Sequence, residues 1–215
     1  MHETERDDLR TELAAAAARL IAEDGLDYAA AKQKAATLMG MNARSRSGLP
    51  DNAEVELELR RYLSTFMPQQ RSVLASLRQL ALQLMQRLAP FRPHIVGAVL
   101  NGTATEHSDI HLQLFVDNAK DVELFLLKQG VEFEASEGGG RPGAPLEVLH
   151  VIVKPARARA MPTRVGIVIE VFDSNAIRVA PKYRSAAPDL HPVEAAGRAS
   201  AAMLNALLTD QGSEV

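Results

Sequence analysis

The residues able to do chemistry concentrate in one stretch, Ile95 to Asp117, and in one acid of a later apolar run, Glu170. The stretch holds Gly97 and Gly102, and then Ser108-Asp109-Ile110-His111-Leu112. Residues i and i+2 of a strand project to the same side, so Asp109 and His111 would face one ligand together. A glycine turn lets backbone approach a phosphate with no β-carbon in the way. Other chemistries are removed by the rest of the chain. Cysteine is absent, which eliminates thiolate catalysis, disulfides and zinc–cysteine sites. No G-x-x-x-x-G-K-[ST] loop, H-E-x-x-H pair or G-x-S-x-G elbow occurs. The Gly138-Gly139-Gly140 run is followed by no helical pattern and reads as a loop.

The segment I-V-G-A-V-L-N-G-T-A-T-E-H-S-D-I-H-L-Q-L-F-V-D resembles the signature of the DNA polymerase β-like nucleotidyltransferase superfamily. There, a strand ends in Gly followed by Gly or Ser, a second Gly comes next, and an acidic–hydrophobic–acidic triplet opens another strand. Val96-Gly97-Ala98 stands at the first part, Asn101-Gly102 at the second Gly, and Ser108-Asp109-Ile110-His111-Leu112 at the triplet. The resemblance implies Mg²⁺ or Mn²⁺ held by Asp109 and by a carboxylate from a later strand. Glu170, between Ile169 and Val171, is the candidate for that carboxylate. It further implies a phosphate turn built from Gly97, Ala98, Gly102 and Ser108, and a catalytic group of Asp109, Glu170 and His111.

Two positions depart from the pattern. Ala98 removes a hydroxyl that could bind phosphate, and His111 stands where the second acid would be. Imidazole suits magnesium poorly, because this hard cation prefers oxygen; manganese or another transition metal accepts it better. Glu106 or Asp173 could stand in for the missing acid. The function expected is metal-dependent nucleotide binding or nucleotidyl transfer from a nucleoside triphosphate to an unspecified acceptor. The alternative is a catalytically inactive member of the same fold, working as a regulatory or protein-interaction module. In the plainest reading, Asp109 caps a turn and His111 faces solvent or a neighbouring strand.

These residues need a frame, and hydropathy patterning supplies one. Leu9, Leu13, Ala16, Ala17, Leu20 and Ile21 recur at helical spacing, with Gly25 as the stop. Asp27 opens a second helix to Met39, and Asp51 or Asn52 opens a third carrying Val55, Leu59, Leu63 and Phe66. After Pro68 comes an amphipathic stretch with Leu74, Leu77, Leu84 and Met85 on one stripe. From His94 the pattern changes to short apolar runs. Strands are expected at 110–116, 146–153 and 165–172, and helices at 118–129 and 192–208. The fold class predicted is α+β: a nucleotidyltransferase-like mixed β-sheet with flanking helices over 91–190. A helical region at 1–90 precedes it, and a C-terminal helix and tail at 191–215 follow it.

Composition bounds the partners. A net charge of −3 lacks the basic excess of a protein that binds nucleic acid mainly through phosphates, and 4% aromatic content argues against a stacking platform. The basic loop Lys154, Arg157, Arg159 and Arg164 is a candidate phosphate contact, and Lys182-Tyr183-Arg184 a weaker one; a solvated hairpin loop is the simpler account of the first. The rhythm of Ala14 to Gly40 resembles a helix-turn-helix start, but Met41 to Arg46 is too short for a reading helix, so packing or dimerisation fits better. No run of about eighteen apolar residues is present, so no membrane span is expected, and the polar start is not a signal peptide; the cytoplasm is the compartment expected.

Overall fold

Asp27 sets the first helical corner. Its Oδ1 accepts the backbone N–H groups of Ala29 and Ala30, both at 2.8 Å, and so satisfies donors at the start of a helix. The computed structural model describes residues 2–41, 48–141, 143–155, 160, 162–181, 185, 187 and 190–212. Helix α1 (His2–Asp24) ends at Gly25, whose φ of 68° lies in the left-handed region. Helix α2 (Tyr28–Leu38) follows the Asp27 cap. Helix α3 (Asn52–Phe66) starts at a capping box: Asp51 accepts the N–H of Glu54, and Glu54 accepts the N–H of Asp51. Alanines on the facing stripes (Ala14, Ala17, Ala18, Ala31, Ala35) are at most 1% exposed, and small side chains let the helices approach closely. Val55, Leu59 and Leu63 complete this first core.

The chain divides at Gln70/Arg71 into two units. Helix α4 (Gln70–Arg87), which the sequence reading placed with the N-terminal region, belongs with the sheet. Its stripe of Leu74, Leu77, Ala81 and Met85 lies in the same core as Ile95, Leu112 and Ile169. The division therefore falls at residue 70 and not at 90, because the amphipathic stripe found its partner C-terminal to itself.

In the second unit, a 3₁₀ turn (Ala89–Phe91) leads to β1 (His94–Val96) and the short α5 (Gly97–Asn101). Then come β2 (Ile110–Val116), α6 (Lys120–Lys128), β3 (Glu134–Glu137), β4 (Glu147–Val153) and β5 (Val165–Asp173). The expected C-terminal helix is split. Helix α7 (Pro192–Ala195) stops before Gly197, whose φ is 74°, and β6 (Ala199–Ser200) pairs with β1 before α8 (Ala201–Gly212) begins. The sheet has six strands in the order β3-β4-β5-β2-β1-β6; β2 and β5 run parallel and the other pairs antiparallel. The class is thus α+β, as expected. One face, with Ile110, Leu112, Leu114, Ile167, Ile169 and Val171, is buried in the core with residues of α4, α6 and α8. The other carries His94, His111, Gln113 and Glu170, all part-buried. Among the described residues no helix is long and apolar enough to cross a membrane.

Candidate functional site

The register of β2 on β5 decides where each chemically active residue stands. Ile110 pairs with Ile167, His111 with Val168, and Gln113 with Glu170. Asp109, one residue before β2, therefore stands level with Gly166. A β-carbon built on Gly166 would fall 2.1 Å from Asp109 Oδ1, so the carboxylate lies against that glycine. Four residues of a strand separate Gly166 from Glu170, about 13 Å along the sheet. Asp109 and Glu170 thus share a face without converging. His111 lies between their levels, and its level neighbour on β5 is Val168.

The first turn of the signature is close to this row. Gly97 has φ 74°, and a β-carbon there would lie 3.8 Å from His111 Cβ and Cδ2, so the imidazole sits directly against the turn. Gly102 (φ 90°) closes α5, and the Ala98 carbonyl accepts the N–H groups of Gly102, Thr103 and Ala104. Ser108 Oγ accepts the Thr105 N–H at 2.9 Å and holds the turn before Asp109. Of the stand-in acids, Glu106 is exposed beside His107, and Asp173 Oδ1 accepts the Asn175 N–H at 2.9 Å as a turn cap. Among the described residues, no group of three His, Asp or Glu is placed to hold a metal ion. The residues present do not fit a two-metal centre.

Burial dominates the electrostatics of His111. Desolvation pulls its pKa below the ordinary value, against the opposing pull of Asp109 and Glu170, while His150 adds to the lowering. The neutral imidazole is accordingly favoured.

A cavity of about 680 Å³ opens at the Glu170 end of the same face. Gly97 and Glu170 line it; Asp109 and His111 do not. Its floor holds Gln113, whose Nε2 donates to Glu170 Oε2 at 3.1 Å. One row further on, Phe115 and Phe172 stack with ring centroids 5.8 Å apart. Arg198 lies over the Phe115 ring at 5.2 Å, and its Nη2 donates to the carbonyls of Ile177 at 2.6 Å and Val179 at 2.9 Å. Arg141 also lines the cavity and is exposed. Glu194 lines it as well and pairs at 2.6 Å with Arg78, a fully buried guanidinium of α4 that also donates to the Val99 and Leu100 carbonyls.

Gln113, Phe115, Phe172 and Arg198 were not singled out from the sequence. For Gln113 and Phe115 the signal was present: His111, Gln113 and Phe115 alternate with Ile110, Leu112 and Leu114, which marks the face shared with Asp109. Arg198 carries no such mark, since it reaches the cavity only through the β6–β1 pairing. Arg157, Arg159 and Lys182-Tyr183-Arg184 lie outside the described residues; Lys154 and Arg164 are both exposed.

Compared with known proteins, the chain matches no family model, no curated protein and no solved structure.

Proposed function

We propose that the unit beginning at Arg71 is a nucleotidyltransferase-like module that binds a nucleotide in the cavity over Gln113 and Glu170 without transferring it. The fold side of this reading rests on the strand–Gly97–α5–Gly102–β2 order, on the mixed sheet, and on His111 lying against the Gly97 turn. The loss of transfer rests on one observation: Asp109 and Glu170 stand four residues apart along the β2–β5 ladder. Carboxylates that share a metal pair must converge within a few ångströms. The positions on β5 level with Asp109 and His111 are Gly166 and Val168, which offer no ligand. The cavity itself has the size and the mainly apolar wall of a small-ligand site. Its role is then regulatory, with ligand occupancy as the signal.

The test pairs turnover with binding. Pyrophosphate release from ATP, GTP, CTP and UTP, with Mg²⁺ or Mn²⁺, is expected to stay at background. Equilibrium dialysis of the same nucleotides in EDTA is expected to show binding of at least one. Metal-dependent pyrophosphate release that disappears in Asp109→Ala would overturn the reading.

A further inference from the structure

The cavity floor carries information about which base it would accept. Glu170 is a part-buried carboxylate, and among the described residues it makes no ion pair; its Oε2 accepts one hydrogen bond, from Gln113. A half-buried carboxylate is an acceptor in want of N–H donors. Its flat neighbours are Phe172, two residues on along β5, and Phe115, two residues on from Gln113, whose stacked rings form an apolar wall beside it. Positive charge lies elsewhere in the lining, on Arg198 above Phe115 and on Arg141. Acceptor, aromatic wall and guanidinium groups therefore surround a single cavity of about 680 Å³.

We propose that this cavity selects guanine, with the N1–H and 2-amino donors of the base on Glu170 and the phosphate towards Arg198 and Arg141. The assignment rests on the nucleotide-binding reading above and adds to it the identity of the base. Guanine presents two N–H donors side by side, and a carboxylate receives such a pair with both oxygens, as it receives a guanidinium. Adenine presents the ring nitrogen N1 as an acceptor at the same edge, so its lone pair would meet the carboxylate charge. Gln113 holds Oε2 of the carboxylate by its hydrogen bond, and both residues line the cavity. The arrangement uses no divalent cation. It also gives Glu170 a task other than the metal ligation that the sequence pattern implies.

The experiment is a calorimetric titration of GMP, IMP and AMP in EDTA into the full chain and into Glu170→Gln. For the wild type, GMP is expected to bind about tenfold or more tighter than AMP, with IMP between them because it lacks the 2-amino donor. In Glu170→Gln, GMP affinity is expected to fall about tenfold or more and the gap to AMP to close, with the circular dichroism spectrum unchanged. Equal binding of all three by the wild type would overturn the base assignment and leave nucleotide binding standing. Absence of binding by any of them would overturn both. The wild-type ranking needs no variant, so a misfolded Glu170→Gln would not rescue the proposal.

Discussion

At the scale of single residues, position matters more than type. Asp109 and Glu170 are the right kinds of side chain for a hard cation, yet one row of the sheet holds Asp109 and another, about 13 Å on, holds Glu170. A level row of carboxylates should create metal affinity. His111→Asp with Val168→Asp would put two carboxylates level on neighbouring strands, about 5 Å apart, with Asp109 about 7 Å back on the same face. Manganese titration is expected to show a site in this double variant that the wild type lacks. Arg78 offers a second test. It is fully buried, bound to Glu194 and to two backbone carbonyls, so Arg78→Met would leave a mostly buried carboxylate unpaired. A loss of about 3–5 kcal/mol in urea unfolding is expected, with part recovered when Glu194→Leu is added. Histidine gives a pH signature. Burial lowers the folded-state pKa of His111, which faces Asp109, Glu170 and His150, and of His94, near Arg92 and Arg198. A base with a depressed folded pKa makes the unfolded chain the better proton binder. Its stabilising contribution is therefore full above 6.5, the ordinary value, and is lost as pH falls below it. Urea midpoints measured between pH 7.5 and 5.5 should fall, and should fall less in a His94→Gln, His111→Gln variant.

At the scale of elements, what is local in the chain was legible and what is distant was not. Asp27 and Asp51 were readable as caps because a cap binds N–H groups only two or three residues ahead. Asp51→Ala is expected to cost about 1 kcal/mol in thermal or chemical unfolding of the helical unit, and Asp27→Ala a similar amount. The long strands β2, β4 and β5 were visible in their Val and Ile content. Strands β3 and β6 were not: the first is four exposed residues, and the second is two residues that count as a strand only because His94 and Ile95 pair with them. The β2–β5 register was equally hidden, since it joins segments more than fifty residues apart in sequence. That register separates Asp109 from Glu170. A pattern of residue types implied a metal pair that the ladder does not assemble.

At the scale of the molecule, two cores share no residue: one of alanines and leucines in α1 to α3, the other beneath the sheet. Each has the composition of an independent folding unit. A fragment spanning 71–215 is expected to unfold cooperatively and to keep the nucleotide affinity of the full chain, since every residue lining the cavity lies within it. Loss of binding in a folded fragment would place part of the site in the first seventy residues. In the proposed reading the ligand binds at the Glu170 end of the sheet face, in the cavity, and not at the Asp109 end. The most direct test is calorimetric titration of guanine nucleotides, with Mg²⁺ and then with EDTA, into wild type, Asp109→Ala and Glu170→Gln. Binding is predicted to be indifferent to the metal and to Asp109→Ala, and to weaken about tenfold or more in Glu170→Gln. Binding that requires Mg²⁺ and vanishes in Asp109→Ala would contradict the account and return the signature to catalysis.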